Sequence, residues 1–217
     1  MISLINKLWE FGLIPVVKIE KLEDALPLSE ALLKGNLPCA EITFRTDQAE
    51  SIIRKITQNH PQILTGAGTV ITVEQANRAV SAGARFIVSP GISIPVIEWC
   101  LKQQVPIFPG TATPSDIITA LSYGLEIIKF FPAETFGGIK TLQALSAPFE
   151  SVRFIPTGGI NLQNLENYIK LPYVYACGGS WFVTSKMISS GHFDEISHGA
   201  SEALKIIHHY RSPGVEK

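Results

Sequence analysis

The chain of 217 residues is predicted to be an α/β protein, a compact (β/α)8 TIM barrel with an extra N-terminal helix, forming one domain over residues 1–217. Three observations predict it. Short apolar, β-branched runs recur along the chain, and their clearest starts, Ile14, Pro38, Ile63, Phe86, Pro106, Ile127, Arg153 and Tyr173, lie 20 to 26 residues apart. The stretches between them, such as DQAESIIRKITQNH and TVEQANRAVSAG, are helix-compatible, and this strand–helix alternation is what a parallel sheet requires. Eight such units, with no room for a second domain and no G-x-G-x-x-G after the first run, favour closure over an open doubly wound sheet.

Element by element, ISLINKLWEF before Leu13 reads as a helix covering one barrel end. Strands are expected within 13–19, 37–43, 62–67, 84–90, 105–110, 126–131, 152–158 and 173–179. Pro27 interrupts the second helical stretch, so a helix start or a bend is expected there. Thr72, Ser93 and Asn161 stand where N-caps belong, and Pro114 follows the cap-like Thr113 at a first helical turn. Gly35, Gly83 and Gly124 stand where helices should stop. Residues 192–210 read as the final outer helices, with SPGVEK frayed beyond them.

Composition narrows the function. Apolar types make up 46% of the chain and charged types 17%, which suits elements buried on both faces or a surface lost to a subunit interface. Eighteen basic and 19 acidic residues leave a charge of −1 with no basic block, which argues against nucleic acid. Cys39, Cys100 and Cys177 are too widely spaced for a disulfide scaffold or a zinc site. His198, His208 and His209 fall in helical context and read as surface or packing residues, so neither a metal nor a cofactor is predicted. No apolar run reaches the roughly 18 residues of a membrane span, and the N-terminus lacks the charged start and cleavage site of a signal peptide. A cytoplasmic protein away from membranes is expected.

Barrel enzymes carry their chemistry at the C-terminal ends of the strands, which singles out a few polar residues. Lys129 lies in EIIKFF, where alternation puts Ile127, Lys129 and Phe131 on one face. If that face is the interior, burial favours the neutral amine that attacks a ketone. Spacing alone favours the outward face, with the stem along a helix and the amine reaching solvent. Glu41, Thr43 and Arg45 share parity, so they project to one side. They form either a structural ion pair or a guanidinium fork for a 2-oxo acid carboxylate beside a free proton carrier.

IPTGGIN after the seventh strand and ACGGSW after the eighth provide two glycine pairs, where phosphate-binding barrels present backbone N–H groups. Gly158, Gly159, Gly178, Gly179 and the Ser180 hydroxyl are the candidates; tight turns are the alternative. Thr69 and Pro90 end the third and fourth strands and either line the pocket or simply end them. Thr111 and Thr113 lie in a segment that reads as a loop and helix cap.

AEITFRT, GAGTV, FIVSPG, GTATPSD, KFFPAE, PTGGI and GGSW, in this order, resemble the bacterial 2-keto-3-deoxy-6-phosphogluconate (KDPG) and 4-hydroxy-2-oxoglutarate (KHG) aldolases over roughly residues 5 to 205. The resemblance implies a Schiff base on Lys129 and a proton shuttle at Glu41. It implies a carboxylate anchor at Arg45 with Thr69 close by, and pocket walls at Pro90 and Phe131. Thr157 would lie beside the reacting carbons, and Gly158, Gly159, Gly179 and Ser180 would hold the phosphate. It also implies a metal-free homotrimer cleaving KDPG to pyruvate and D-glyceraldehyde 3-phosphate, with 4-hydroxy-2-oxoglutarate as a further substrate.

Two departures from the family pattern, Phe44 and Cys177, are expected to affect packing only. Relatives that prefer the galactonate epimer differ at the position of Thr157, so that residue favours the gluconate substrate over 2-keto-3-deoxy-6-phosphogalactonate. An isomerase or epimerase of a phosphorylated metabolite, or a non-catalytic metabolite-binding barrel, would keep the glycine loops but leave Lys129 without a purpose.

Overall fold

The computed structural model describes residues 2–211. Its strands are β1 (Leu13–Val17), β2 (Cys39–Thr43), β3 (Leu64–Gly68), β4 (Ile87–Val88), β5 (Ile107–Phe108), β6 (Gly110–Thr111), β7 (Ile127–Phe130), β8 (Arg153–Pro156) and β9 (Cys177–Gly179). Every pairing is parallel. One sheet runs β5-β4-β3-β2-β1-β9 and another β6-β7-β8. Two single bridges, Phe154 to Val174 and Thr157 to Gly178, join β8 to the β9 segment.

β5 and β6 fill one barrel position, split at Pro109, which has no N–H to give to a ladder. Its carbonyl still accepts from the Lys129 N–H at 2.9 Å. Counted this way, eight strand positions close the ring, as the repeat predicts.

Helices cover the outside. α1 (Ile2–Phe11) lies across the N-terminal end of the barrel: Leu4 and Phe11 line a cavity with Pro38, Ile63 and Leu64. The Tyr175 hydroxyl donates to the Ile5 carbonyl at the same end. The stretch before β2 opens with a 3₁₀ turn, Leu22–Asp24, and continues as α2 (Ala25–Lys34). Pro27 falls in the first turn of α2, where a missing N–H costs no helical hydrogen bond, so it marks a start and not a bend.

The next helices are α3 (Ala49–Asn59), α4 (Val73–Ser81), α5 (Ile94–Lys102), α6 (Pro114–Ser122), α7 (Gly138–Ser146), α8 (Leu162–Ile169) and α9 (Ser185–Ser189). Caps follow the sequence at Thr72, Thr113 and Asn161, the last two as full capping boxes with Asp116 and Asn164. Ser93 is a correction. It precedes α5 but makes no side-chain cap bond, and Pro95 at the second helical position has no N–H to offer one.

The C-terminal tail is also corrected. It forms one helix, α10 (Phe193–Arg211), packed on α2 and α8. Gly199 lets the helix pass close to Phe182: a Cβ there would lie 2.6 Å from the Phe182 Cβ. Arg211 donates to the Tyr175 carbonyl at 2.6 Å and lies 4.8 Å from the Trp9 ring, so α10 ends against α1. SPGVEK lies outside the described residues. Among the described residues no helix is long and apolar enough to cross a membrane.

Candidate active site

β7 and β2 bring Lys129 and Glu41 together inside the barrel. Their side chains are almost wholly buried, and Lys129 Nζ lies 3.7 Å from Glu41 Oε1. That is the inward face for Lys129, whereas spacing alone favours the outward one. The separation exceeds a hydrogen bond, and Glu41 Oε1 is a buried oxygen with no hydrogen-bond partner among the described residues. An unsatisfied carboxylate oxygen facing an amine leaves room for a third group to enter and exchange protons with it. The Phe131 ring centroid lies 5.0 Å from Nζ and forms the apolar wall beside it.

A residue missed in the sequence makes this possible. A Cβ on Gly68, at the end of β3, would fall 2.0 Å from Glu41 Oε1. The second glycine of GAG therefore vacates the space that the carboxylate occupies. Register carries the same information, since Gly68 pairs with Thr43 and Glu41 with Gly66. Gly66 in turn yields to Phe86, whose ring would lie 2.2 Å from a Cβ there.

Arg45 stands just beyond β2, at the barrel mouth. The Thr43 hydroxyl donates to the Val17 carbonyl at 2.9 Å and accepts from Arg45 Nε at 3.3 Å. Arg45 makes no ion pair among the described residues, so the structural pair with Glu41 is not formed; Glu41 faces Lys129. Neighbouring Arg78 is engaged by Glu50 at 2.9 Å and stacks 5.9 Å from the Phe44 ring, consistent with a packing role for Phe44. Arg45, Thr46, Asp47 and Gln75 help to line a polar cavity of about 290 Å³. Thr69 has φ +58°, a strained conformation for a β-branched residue, at the turn that leaves β3.

The glycine pairs stand at the ends of two adjacent strand positions. Thr157 is buried, and its Oγ1 occupies the space where Gly178 would carry a Cβ, at 2.2 Å. Gly158 and Gly159 have φ of +98° and +82°. Gly179 is buried against the Trp181 ring, whereas Ser180 is exposed. Pro90 is half-buried, and Gly110 passes its carbonyl so closely that a Cβ would lie 2.2 Å away. Thr111 and Thr113 are spent on structure: one holds the Lys129 carbonyl at 2.9 Å and the other caps α6. Cys177 is a buried small hydrophobe, its thiol pushed up to about 12 by burial.

A family model described as KDPG and KHG aldolase matches residues 4–198. The chain belongs to the KDPG and KHG aldolase family. It is 46% identical over 207 residues to a 2-dehydro-3-deoxy-phosphogluconate aldolase of Treponema pallidum, covering 95% of this chain and 99% of that protein. It is 41% identical over 192 residues to the KHG/KDPG aldolase of Escherichia coli K12, covering 88% and 90% of the two chains. Among solved structures, the KDPG aldolase of Legionella pneumophila, with pyruvate captured as a covalent carbinolamine, superposes with a TM-score of 0.86. That match has 41% identity and covers 89% of this chain and 96% of the other. The protein is a carbon–carbon lyase, a class I Schiff-base aldolase of the KDPG/KHG type.

An aldolase of this class needs one amine and one proton carrier within reach of the same carbonyl. In this chain a buried amine, Lys129 Nζ, and a buried carboxylate oxygen, Glu41 Oε1, stand 3.7 Å apart. A further cavity, about 300 Å³ and mainly apolar, opens among Ile5, Pro106, Phe108 and Leu125 at the opposite end of the barrel and is remote from this chemistry.

Proposed function

We propose that this aldolase cleaves KDPG to pyruvate and D-glyceraldehyde 3-phosphate, with Lys129 as the Schiff-base lysine and Glu41 as the proton shuttle. The observation that carries the reading is the buried pair itself: an amine 3.7 Å from a carboxylate oxygen that has no other partner. Arg45, without an acidic partner among the described residues and steadied through Thr43, anchors the C1 carboxylate with its guanidinium fork. Thr69 stands beside it. Pro90 and Phe131 wall the pocket, and Thr157 lines it beside the reacting carbons. Gly158, Gly159, Gly179 and Ser180 receive the phosphate.

In this mechanism Lys129 first passes one proton to Glu41; the neutral amine then adds to C2, and Glu41 relays a proton from the nitrogen to the C2 oxygen to give the carbinolamine, keeping its own proton. Glu41 donates the proton with which the C2 hydroxyl leaves as water, giving the iminium. The Glu41 carboxylate then takes the proton of the C4 hydroxyl. The C3–C4 bond breaks, its electron pair moves into the iminium to form an enamine, and the aldehyde leaves. Protonation at C3 and hydrolysis release pyruvate and restore the amine. Arg45 contributes orientation by holding C2 over the lysine.

The E. coli relative bears both names, which supports 4-hydroxy-2-oxoglutarate as a second substrate. A cytoplasmic homotrimer, each subunit one barrel domain working without metal or cofactor, completes the reading.

Borohydride reduction in the presence of pyruvate, followed by peptide mapping, tests it. The expected product is a reduced pyruvyl adduct on Lys129. A folded protein that cleaves KDPG with no adduct there would refute the assignment.

A further inference from the structure

The loop that carries Gly158 and Gly159 is braced from outside by a residue not yet given a role. β7 and β8 are in register as far as Phe130 and Pro156. Beyond that point the Ala133 N–H donates to the Thr157 carbonyl at 2.8 Å, and the Glu134 N–H donates to the Gly158 carbonyl at 3.0 Å. Gly159 lies flat on the Glu134 stem: a Cβ on Gly159 would come within 2.5 Å of the Glu134 Cβ.

The Glu134 carboxylate then crosses the loop to accept the hydroxyl of Tyr168, a fully buried residue of α8. Glu134 is thus tied by its backbone to one side of the glycine loop, and by its side chain to the helix on the other.

These contacts orient the loop's amides. A trans peptide points its N–H opposite to its C=O. With the Gly158 carbonyl held by Glu134, the Gly159 N–H is turned away from residue 134. The Gly159 carbonyl is held in turn by Asn161 Nδ2 at 3.3 Å and Asn164 Nδ2 at 3.0 Å, which turns the Ile160 N–H away from the α8 cap. Neither amide has a backbone acceptor among the described residues. Two donors are left aimed outward from a glycine loop, as an anion requires.

A carboxylate so near an anion site would repel the ligand if it were free to swing. Here it is occupied by the Tyr168 hydroxyl and lies over the first turn of α7, where a Cβ on Gly138 would be 2.7 Å from Glu134 Oε1.

We propose that Glu134, latched by Tyr168, is a positioning residue that sets the amides of the Gly158–Ile160 loop for the substrate phosphate. The proposal rests on the reading that this loop receives that phosphate.

The test compares KDPG with the same acid lacking its phosphate, 2-keto-3-deoxygluconate, in the full-length enzyme. Glu134→Ala and Tyr168→Phe are expected to raise KM for KDPG about tenfold, with kcat held within about threefold, since each tenfold corresponds to one misplaced charge-assisted contact. On the unphosphorylated acid, kcat/KM should equal that of the wild type. Glu134→Gln, whose amide oxygen still accepts from Tyr168, is expected to restore the KM to within about twofold. Equal losses on both acids, or an unchanged KM for KDPG, would overturn the positioning role. Tyr168→Phe keeps the ring in the core and carries the test if Glu134→Ala fails to fold. A wild-type enzyme with no preference for the phosphorylated acid would overturn the phosphate reading, and this inference with it.

Discussion

Lys129 and Glu41 come from strands on different sides of the barrel, yet Lys129 Nζ and Glu41 Oε1 lie 3.7 Å apart in a buried space, with that oxygen unsatisfied among the described residues. A buried oxygen left without a partner costs about 1–3 kcal/mol. On the proposed mechanism a substrate hydroxyl completes the set, and three expectations follow from this end of the barrel and its supports.

Glu41→Gln keeps the size of the side chain and removes its ability to hold and release a proton. We expect kcat for KDPG to fall about 10²- to 10⁴-fold, with a much smaller change in KM. Steady-state kinetics with coupled detection of pyruvate measure this. A kcat within threefold of wild type would exclude Glu41 as the shuttle.

Gly68→Ala places a methyl group 2.0 Å from Glu41 Oε1, so the carboxylate or β3 must move. The expected cost is about 1–3 kcal/mol of stability, together with a drop in kcat that largely disappears as a separate effect when Glu41 is already Gln. Urea unfolding and kinetics on the single and double variants check the coupling. Additive losses in the double variant would mean that Gly68 acts elsewhere.

Asp116 gives a pH-dependent contribution. Burial alone would raise its pKa, but hydrogen bonds from the Ala112 N–H and from the Thr113 hydroxyl and N–H outweigh it and hold the carboxyl below its ordinary 3.8. A folded-state pKa lowered in this way stabilises the native state above pH 3.8, and the stabilisation is lost as pH falls through the lower folded value. Asp116→Asn should therefore cost about 1 kcal/mol at pH 7, as loss of a cap does, and much less at pH 2. Denaturant unfolding at the two pH values measures this; a deficit of the same size at both would show that the carboxylate charge is not what stabilises the α6 cap.

The strand positions were legible because apolar, β-branched runs recur at one period, and the inner and outer faces of a barrel strand are both buried. That same property hid the direction of Lys129. Its neighbours Ile128 and Phe130 are as apolar as Ile127 and Phe131, so no alternation distinguishes the inside from the outside. The pairing of Lys129 with Glu41 depends on barrel closure, which no local pattern encodes. Gly68 escaped notice because its role is the absence of a side chain, visible only once the Glu41 carboxylate has a position. Pro109 fell inside the strand expected over 105–110, and only the pairing partners of β5 and β6 reveal that the ladder is interrupted there while one barrel position continues through it. Glu134 in KFFPAE drew no reading from the sequence, since its partner Tyr168 lies on a helix beyond the next strand.

The meeting of Trp9 and Arg211 at the N-terminal end of the barrel has a practical consequence. The first and last helices converge on the floor, whereas Arg45, Lys129 and the glycine loops surround the opposite opening. A carrier protein, bead or electrode joined to either helix would hold the barrel by its base, leaving the reactive opening toward the bulk solution.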